Sequence, residues 1–150
     1  MDTTAVDEVL AQLERNKAVV RRFVEEVQNS KDEAAYDELD HPDFVNLSAP
    51  PGVPSDRDGG KVYLWSLFNA FPDSQWTIDD MVAEGDRVAT KKTMRGTHTG
   101  EFAGIPATGR TVTLQYVDIL RLRDGKIVEH WLSMDSLSFM QQLGVIPTPA

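Results

Sequence analysis

Apolar residues recur at helical spacing over residues 4–28: Val6, Leu10, Leu13, Val20, Val24 and Val27 lie three, four or seven apart, with Val19 and Phe23 widening the stripe. Asn29-Ser30 closes that helix. A short second helix is predicted from about Asp32, burying Ala35, Tyr36 and Leu39, and it stops before His41-Pro42, because the residue preceding a proline is biased away from helical geometry. The segment 47–60 holds three prolines and three glycines and reads as a loop placed to act as a lid. A third helix, about 60–70, presents Leu64, Trp65, Leu67 and Phe68 with Phe71 beyond it. This aromatic face suits core packing, or the wall of an apolar cavity.

From residue 74 onward the pattern changes to short runs of strand composition. Strands are predicted at 74–82 and 87–97, joined at Glu84-Gly85-Asp86, and at 111–123 and 126–134, joined at Asp124-Gly125. The loop 100–110 separates the two hairpins, and Ser136–Leu143 forms a last helix ended by Gly144. Helices first and an antiparallel sheet afterwards describe an α+β domain with helices packed on one sheet face.

Composition narrows the functional classes. At 150 residues the chain fits a single domain (1–150), and its charge of −9 argues against a nucleic-acid or anionic-membrane partner. It has no cysteine, which excludes disulfides, thiolate nucleophiles and Cys-based zinc sites. MDTTAVDEVL lacks a basic region followed by an apolar run, and no stretch approaches the roughly 18 apolar residues of a membrane span. A cytoplasmic, soluble protein is the expectation. No nucleotide loop and no HExxH-like spacing appears, so neither cofactor nor metal is expected.

Within this frame Asp118 is the anomalous residue, because it interrupts the apolar strand TLQYVDILRL. A carboxylate in apolar surroundings is costly unless paired, and desolvation raises its pKa toward the range of a general acid or base. Its neighbours depend on the hairpin register. A two-residue Asp124-Gly125 turn pairs Arg123 with Lys126 and puts Asp118 on the face of Glu129, Trp131 and Ser133. A bulge at Gly125 pairs Leu122 with Lys126 and puts Asp118 with Val128, His130, Leu132 and Met134. His130 would then gain a charge partner and a proton-transfer role. His98 sits near a strand end, His41 reads as structural, and Asp135 reads as a helix N-cap.

The strings NKAVVRRFVEEVQNSKD, HPDFVN, FPDSQWTIDDMVAEGDRVA, RGTHTGEFAGIPATGR and DILRLRDGKIVEHW, with MQQLG at the end, resemble the SnoaL-like polyketide cyclase family of the nuclear-transport-factor-like superfamily. The resemblance spans about residues 10–146. It implies a curved antiparallel sheet wrapped by N-terminal helices into a cone-shaped barrel with an internal pocket, cofactor-free acid–base chemistry and a homodimer. It also selects the bulged register. Where the family's aldol cyclases carry histidine this chain has Asp118, and where they carry the catalytic aspartate it has Leu132. The VDILR string further resembles ketosteroid isomerases, whose aspartic acid at this slot stays neutral and donates a hydrogen bond to an oxyanion.

The resulting expectation is a cyclase acting on a small hydrophobic, oxygenated substrate such as a polyketide, by aldol-type or related ring closure. Asp118 and His130 are its candidate catalytic residues, with Asn46, Trp65, Phe68, His98, Tyr116 and Leu132 contacting substrate. The alternatives are an epoxide-opening hydrolase, isomerase or dehydratase on the same fold, or a non-catalytic ligand-binding or dimerisation module. Both faces of the last hairpin are apolar, so its outer face is expected to pack on a second subunit.

Overall fold

A computed structural model describes residues 2–150. The first helix, α1 (Thr3–Arg22), is capped by the Asp2 carboxylate, which accepts the Thr4 N–H, and continues as a π-helical segment (Phe23–Asn29). Only its second half packs. Val20, Val24 and Val27 are buried, whereas Val9 and Leu10 remain 60% and 55% exposed, so the first half of the predicted stripe covers no core. In the widened turns the Ser30 N–H reaches back to the Glu25 carbonyl, which keeps Val24, Val27 and Gln28 all facing inward. Asp32 caps α2 (Glu33–Leu39).

The next element was not anticipated from the sequence. Asp40–Asn46 forms a strand, β1, where a helix end and loop were expected. It contains Pro42 and lies at the sheet edge, the position where a strand tolerates a missing N–H. After it come α3 (Arg57–Ala70), β2 (Gln75–Glu84), β3 (Arg87–Thr97), β4 (Thr111–Arg123), β5 (Lys126–Met134) and α4 (Ser136–Gln142). Asp135 caps α4 through the Ser138 N–H, as expected.

The strands form one curved sheet in the order β1-β5-β4-β3-β2. The α+β class is therefore right, with two corrections to the expected architecture. The sheet is mixed, because β1 runs parallel to β5 while the other pairs are antiparallel. It is also open: β1 and β2 are its two edges, and nothing pairs them into a closed barrel. Helical segments cover the inner face. Val112, Leu114, Tyr116, Leu120 and Leu122 of β4 point toward them, and Asp118 is the polar member of that row. Two apolar clusters meet on β4, with Tyr116 in one and Leu120 in the other, so Asp118 sits at the seam between them.

The last hairpin combines the two expected registers. Asp124 and Gly125 both have positive φ, 55° and 72°, as a two-residue type I′ turn requires, and Arg123 pairs with Lys126. The bulge is displaced by three residues. Leu122 still pairs with Ile127, but Arg121 pairs with Glu129, leaving Val128 as the extra residue. From there on the faces are exchanged. Leu120 lies opposite His130 and Asp118 opposite Leu132, while Trp131 points outward.

Candidate active site

Between the sheet and the helices lies a cavity of about 190 Å³. Its walls are mostly apolar, with Phe23, Phe44, Leu64, Leu67, Met94 and Leu114 among them, as in small-molecule sites generally. Asn46, Tyr116, Asp118, His130 and Leu132 all line it, so five of the eight expected site residues converge there. The other three do not. Trp65 and Phe68 stand behind the wall in an edge-on aromatic series, Tyr36–Trp65–Phe68–Trp76, with ring centroids 5.8, 5.1 and 5.7 Å apart. Their helix turns its Tyr63, Leu64 and Leu67 side to the cavity instead. His98 is wholly buried elsewhere, stacked on Phe71 at 5.1 Å with Nδ1 3.0 Å from the Thr108 hydroxyl.

The polar centre of the cavity is built on four adjacent strands, β3, β4, β5 and β1. Thr90 lies directly across the β3–β4 ladder from Asp118, and Lys92 is two residues further along β3 on the same inward face. The Lys92 ammonium donates to Asp118 Oδ2 at 2.8 Å, and the Thr90 hydroxyl donates to Oδ1. Both partners of the ion pair are almost completely excluded from solvent. His130 Nε2 is 3.6 Å from Asp118 Oδ2, and His130 Nδ1 is 3.4 Å from Asn46 Oδ1. The Asn46 oxygen is fixed in turn by the Ser48 N–H at 2.9 Å. Ser48 also clips the loop to β5, accepting the Leu132 N–H at 2.9 Å.

This arrangement overturns the expectation of a lone carboxyl holding its proton tightly. Burial does push the Asp118 pKa up, but the Lys92 ammonium, aided by His130, outweighs it and holds the carboxyl down at about 2. Asp118 is thus an ionised acceptor, and the ketosteroid-isomerase analogy of a neutral acid does not hold for it. Lys92 was missed. The signal was present, since β-strand alternation must turn one of Lys91 and Lys92 to the face of Val88 and Met94. Asp40 was missed too. It lines the cavity, is 2% exposed, and is pushed up to about 7 by burial. Tyr116, also buried, is raised chiefly by that burial and accepts a long hydrogen bond from Gln28.

Among the described residues, no three His, Asp or Glu side chains are grouped to hold a metal ion, and no helix is long and apolar enough to cross a membrane.

Comparison with known proteins places this geometry. The SnoaL-like polyketide cyclase family matches residues 18–143. The chain is 29% identical to the aklanonic acid methyl ester cyclase DnrD of Streptomyces peucetius, over 87% of this chain and 92% of that one. Among solved structures it is similar to IdmH of Streptomyces antibioticus, a candidate polyketide cyclase, with 37% identity, a TM-score of 0.74, and 86% and 98% of the two chains covered. It is similar as well to AclR of Streptomyces galilaeus, a candidate hydroxylase, at 34% identity, TM-score 0.79, and 92% and 86% coverage.

Removing one member of a buried ion pair strands the other charge. Asp118→Asn is therefore expected to cost about 3–5 kcal/mol, measured by urea unfolding, while Asp118→Leu combined with Lys92→Met recovers most of the loss. The pH dependence has a definite sign. Asp118 is held below its ordinary value of 3.8, so its contribution is complete above that pH and is lost as pH falls through about 2. An Asp118→Asn protein as stable as the wild type at pH 7 would show that the pair contributes nothing.

Proposed function

The chain belongs to the SnoaL-like polyketide cyclase family, and from that premise we propose that it closes a ring in a hydrophobic, oxygenated substrate by cofactor-free acid–base chemistry. The observation that carries this reading is the series Asn46–His130–Asp118–Lys92 opening onto an apolar cavity. In the tautomer that donates Nδ1–H to Asn46, His130 Nε2 carries the lone pair. That nitrogen removes the proton from a carbon next to a carbonyl. The imidazolium so formed has Nε2 3.6 Å from the ionised Asp118, whose negative charge stabilises it. The resulting enolate attacks a second carbonyl in the same molecule, forming the ring C–C bond. The alkoxide then takes the proton back from Nε2, so the reaction is an isomerisation that consumes nothing.

Lys92 has one protein acceptor, Asp118, among the described residues, which leaves ammonium N–H groups for the developing oxyanion. The walls hold the flexible chain in one folded conformer, a positioning effect worth several kcal/mol. Relative to the reading from sequence, the acid–base role passes from Asp118 to His130 alone: His130 moves the proton, and the ionised Asp118 stabilises it.

Leu132 favours a second reading. It stands directly opposite Asp118, at the slot where the aldol cyclases of the family carry their catalytic aspartate. With a leucine there, the same pocket suits isomerisation, dehydration or epoxide opening, and AclR shows that a structural relative is assigned a different activity.

The outer sheet face supports one more assignment. Val82, Val117, Ile119 and Trp131 are 61%, 43%, 37% and 44% exposed there, a patch suited to a second copy of the chain.

Aklanonic acid methyl ester, the substrate named for DnrD, is the probe for the chemistry. His130→Gln is expected to lower kcat for ring closure by about 10²–10⁴, with KM and the thermal midpoint little changed. Turnover by the variant at the wild-type rate would end the assignment of His130, and an inert wild type that opens a model epoxide would favour the second reading. Sedimentation at tens of micromolar is expected to give twice the chain mass of 16.7 kDa. A purely monomeric boundary would remove the dimer.

A further inference from the structure

The cavity contains a second buried carboxyl that the chemistry above leaves unused. Asp40 stands at the junction of α2 and β1, is 2% exposed, and lines the cavity beside Tyr36 and Phe44. Its Oδ1 is buried and has no hydrogen-bond partner among the described residues. A buried polar atom without a partner is rare in a native fold and calls for a ligand or solvent group to complete it.

The charged and titratable groups around Asp40 do not neutralise it. On α2 these are Tyr36, whose hydroxyl donates to the Arg57 carbonyl at 2.9 Å and pulls Asp40 down only in part, and Asp37, a like charge. On α3 it is Arg57, whose guanidinium donates to the Asp37 carbonyl and lies 3.6 Å from the Asp37 carboxylate. Among the described residues no cation is in contact with Asp40 as Lys92 is with Asp118; Arg57 acts on it only through space and is outweighed by burial. Ionising an unpaired carboxyl in such a place is expensive, and burial accordingly pushes it up to about 7. Below that pH Asp40 is a neutral acid, able to donate one hydrogen bond and accept others.

Its place relative to the reactive centre follows from the strand register. Asp40 pairs with Ile127, and Asn46 pairs with His130. Those β5 residues lie opposite Leu122 and Leu120, two residues apart on β4, a separation of roughly 7 Å along the sheet. Leu120 and Ile127 line the cavity between them. The site thus has two polar poles joined by an apolar floor.

We propose that Asp40 is a substrate-recognition group, which binds an uncharged oxygen of the substrate (a ketone, ester or hydroxyl) at the pole remote from His130 and disfavours a carboxylate there. The proposal rests on the cavity being the substrate site, as in the function proposed above, but not on ring closure itself. A neutral acid meets a carbonyl with a donated hydrogen bond. A carboxylate would bring a further negative charge beside Asp40 and Asp37, where the nearby cation, Arg57, is already paired with Asp37. Selectivity of this kind comes from the group left unpaired when the wrong ligand enters.

The test uses the full chain and three probes of similar shape: methyl 2-naphthoate, 2-propylnaphthalene and 2-naphthoate. Binding is read by quenching of tryptophan fluorescence at pH 6, since Trp76 lines the cavity. The wild type is expected to bind the ester about tenfold tighter than the hydrocarbon, and the carboxylate most weakly. Asp40→Leu should bind ester and hydrocarbon equally, and Asp40→Asn, which keeps an N–H donor, should retain the ester preference. In the wild type that preference should fade between pH 6 and 8.5, and in Asp40→Asn it should not. If Asp40→Leu does not fold, the contrast in pH profile decides alone. A wild type that does not distinguish the probes or binds none of them at millimolar concentration overturns the proposal, as does an Asp40→Leu protein that keeps the preference. His130→Gln should keep the preference in full. A failure of the proposed chemistry, seen as undiminished turnover by that variant, is therefore distinct from a failure at Asp40.

Discussion

The buried pair of Lys92 and Asp118 is the interaction on which the site depends. Neither charge could remain in this interior without the other, because desolvating a single ion costs several kcal/mol even after relaxation. Together, with the Thr90 hydroxyl on the second carboxylate oxygen, they form a compensated unit at the seam between two apolar clusters. Its geometry ties β3 to β4 in one register, because slipping either strand by a residue would turn one of the two charges outward and strand the other. An ion pair of this kind is weak evidence for stability, yet it is a strong constraint on which arrangement is allowed. It also fixes Asp118 in the charged state, and the role proposed for His130, moving a proton beside a standing negative charge, rests on that.

A second constraint delivers His130 to that charge. The type I′ turn at Asp124-Gly125 alone would have placed Glu129 and Trp131 on the inner face. The extra residue Val128 exchanges the faces two rungs later, so His130 and Leu132 enter the cavity while Trp131 goes to the outer surface. Both devices belong to local backbone geometry, but they were not equally legible. Asp-Gly between two apolar runs announces a turn, whereas nothing in KIVEHW marks which residue will bulge. The resemblance to a known family chose the correct face, and it did so through a bulge three residues away from the expected one.

The helices, four of the five strands and the Asp135 cap could be read from periodicity and capping residues, because those signals are local. Strand β1 could not. DHPDFVN has a proline and no clean alternation, and its pairing is parallel, with a segment more than eighty residues away. The same locality explains the error at Asp118. A carboxylate in an apolar strand was read correctly as out of place, and the inferred desolvation is present, but the cation that reverses its effect arrives from the neighbouring strand. Trp65, Phe68 and His98 failed for a related reason: residue type marks an aromatic or imidazole as useful, and only packing decides which side of a wall it occupies.

Two carboxyls in one cavity end in opposite states, and one nearby cation accounts for the difference. With Lys92 in contact, Asp118 is charged far below neutrality; without such a partner, Asp40 keeps its proton to about 7. Below about pH 7 the two carboxyls and Lys92 together therefore carry one positive and one negative charge that cancel, inside a protein whose overall charge is −9. A neutral, hydrophobic molecule entering such a space loses little electrostatically and gains the apolar walls. On the proposed reading it meets His130 at one pole to shift a proton and Asp40 at the other to hold an oxygen. Which carboxyl holds the cation thus decides which pole is charged, so the chemistry of such a cavity is set by side chains and not by the architecture that carries them.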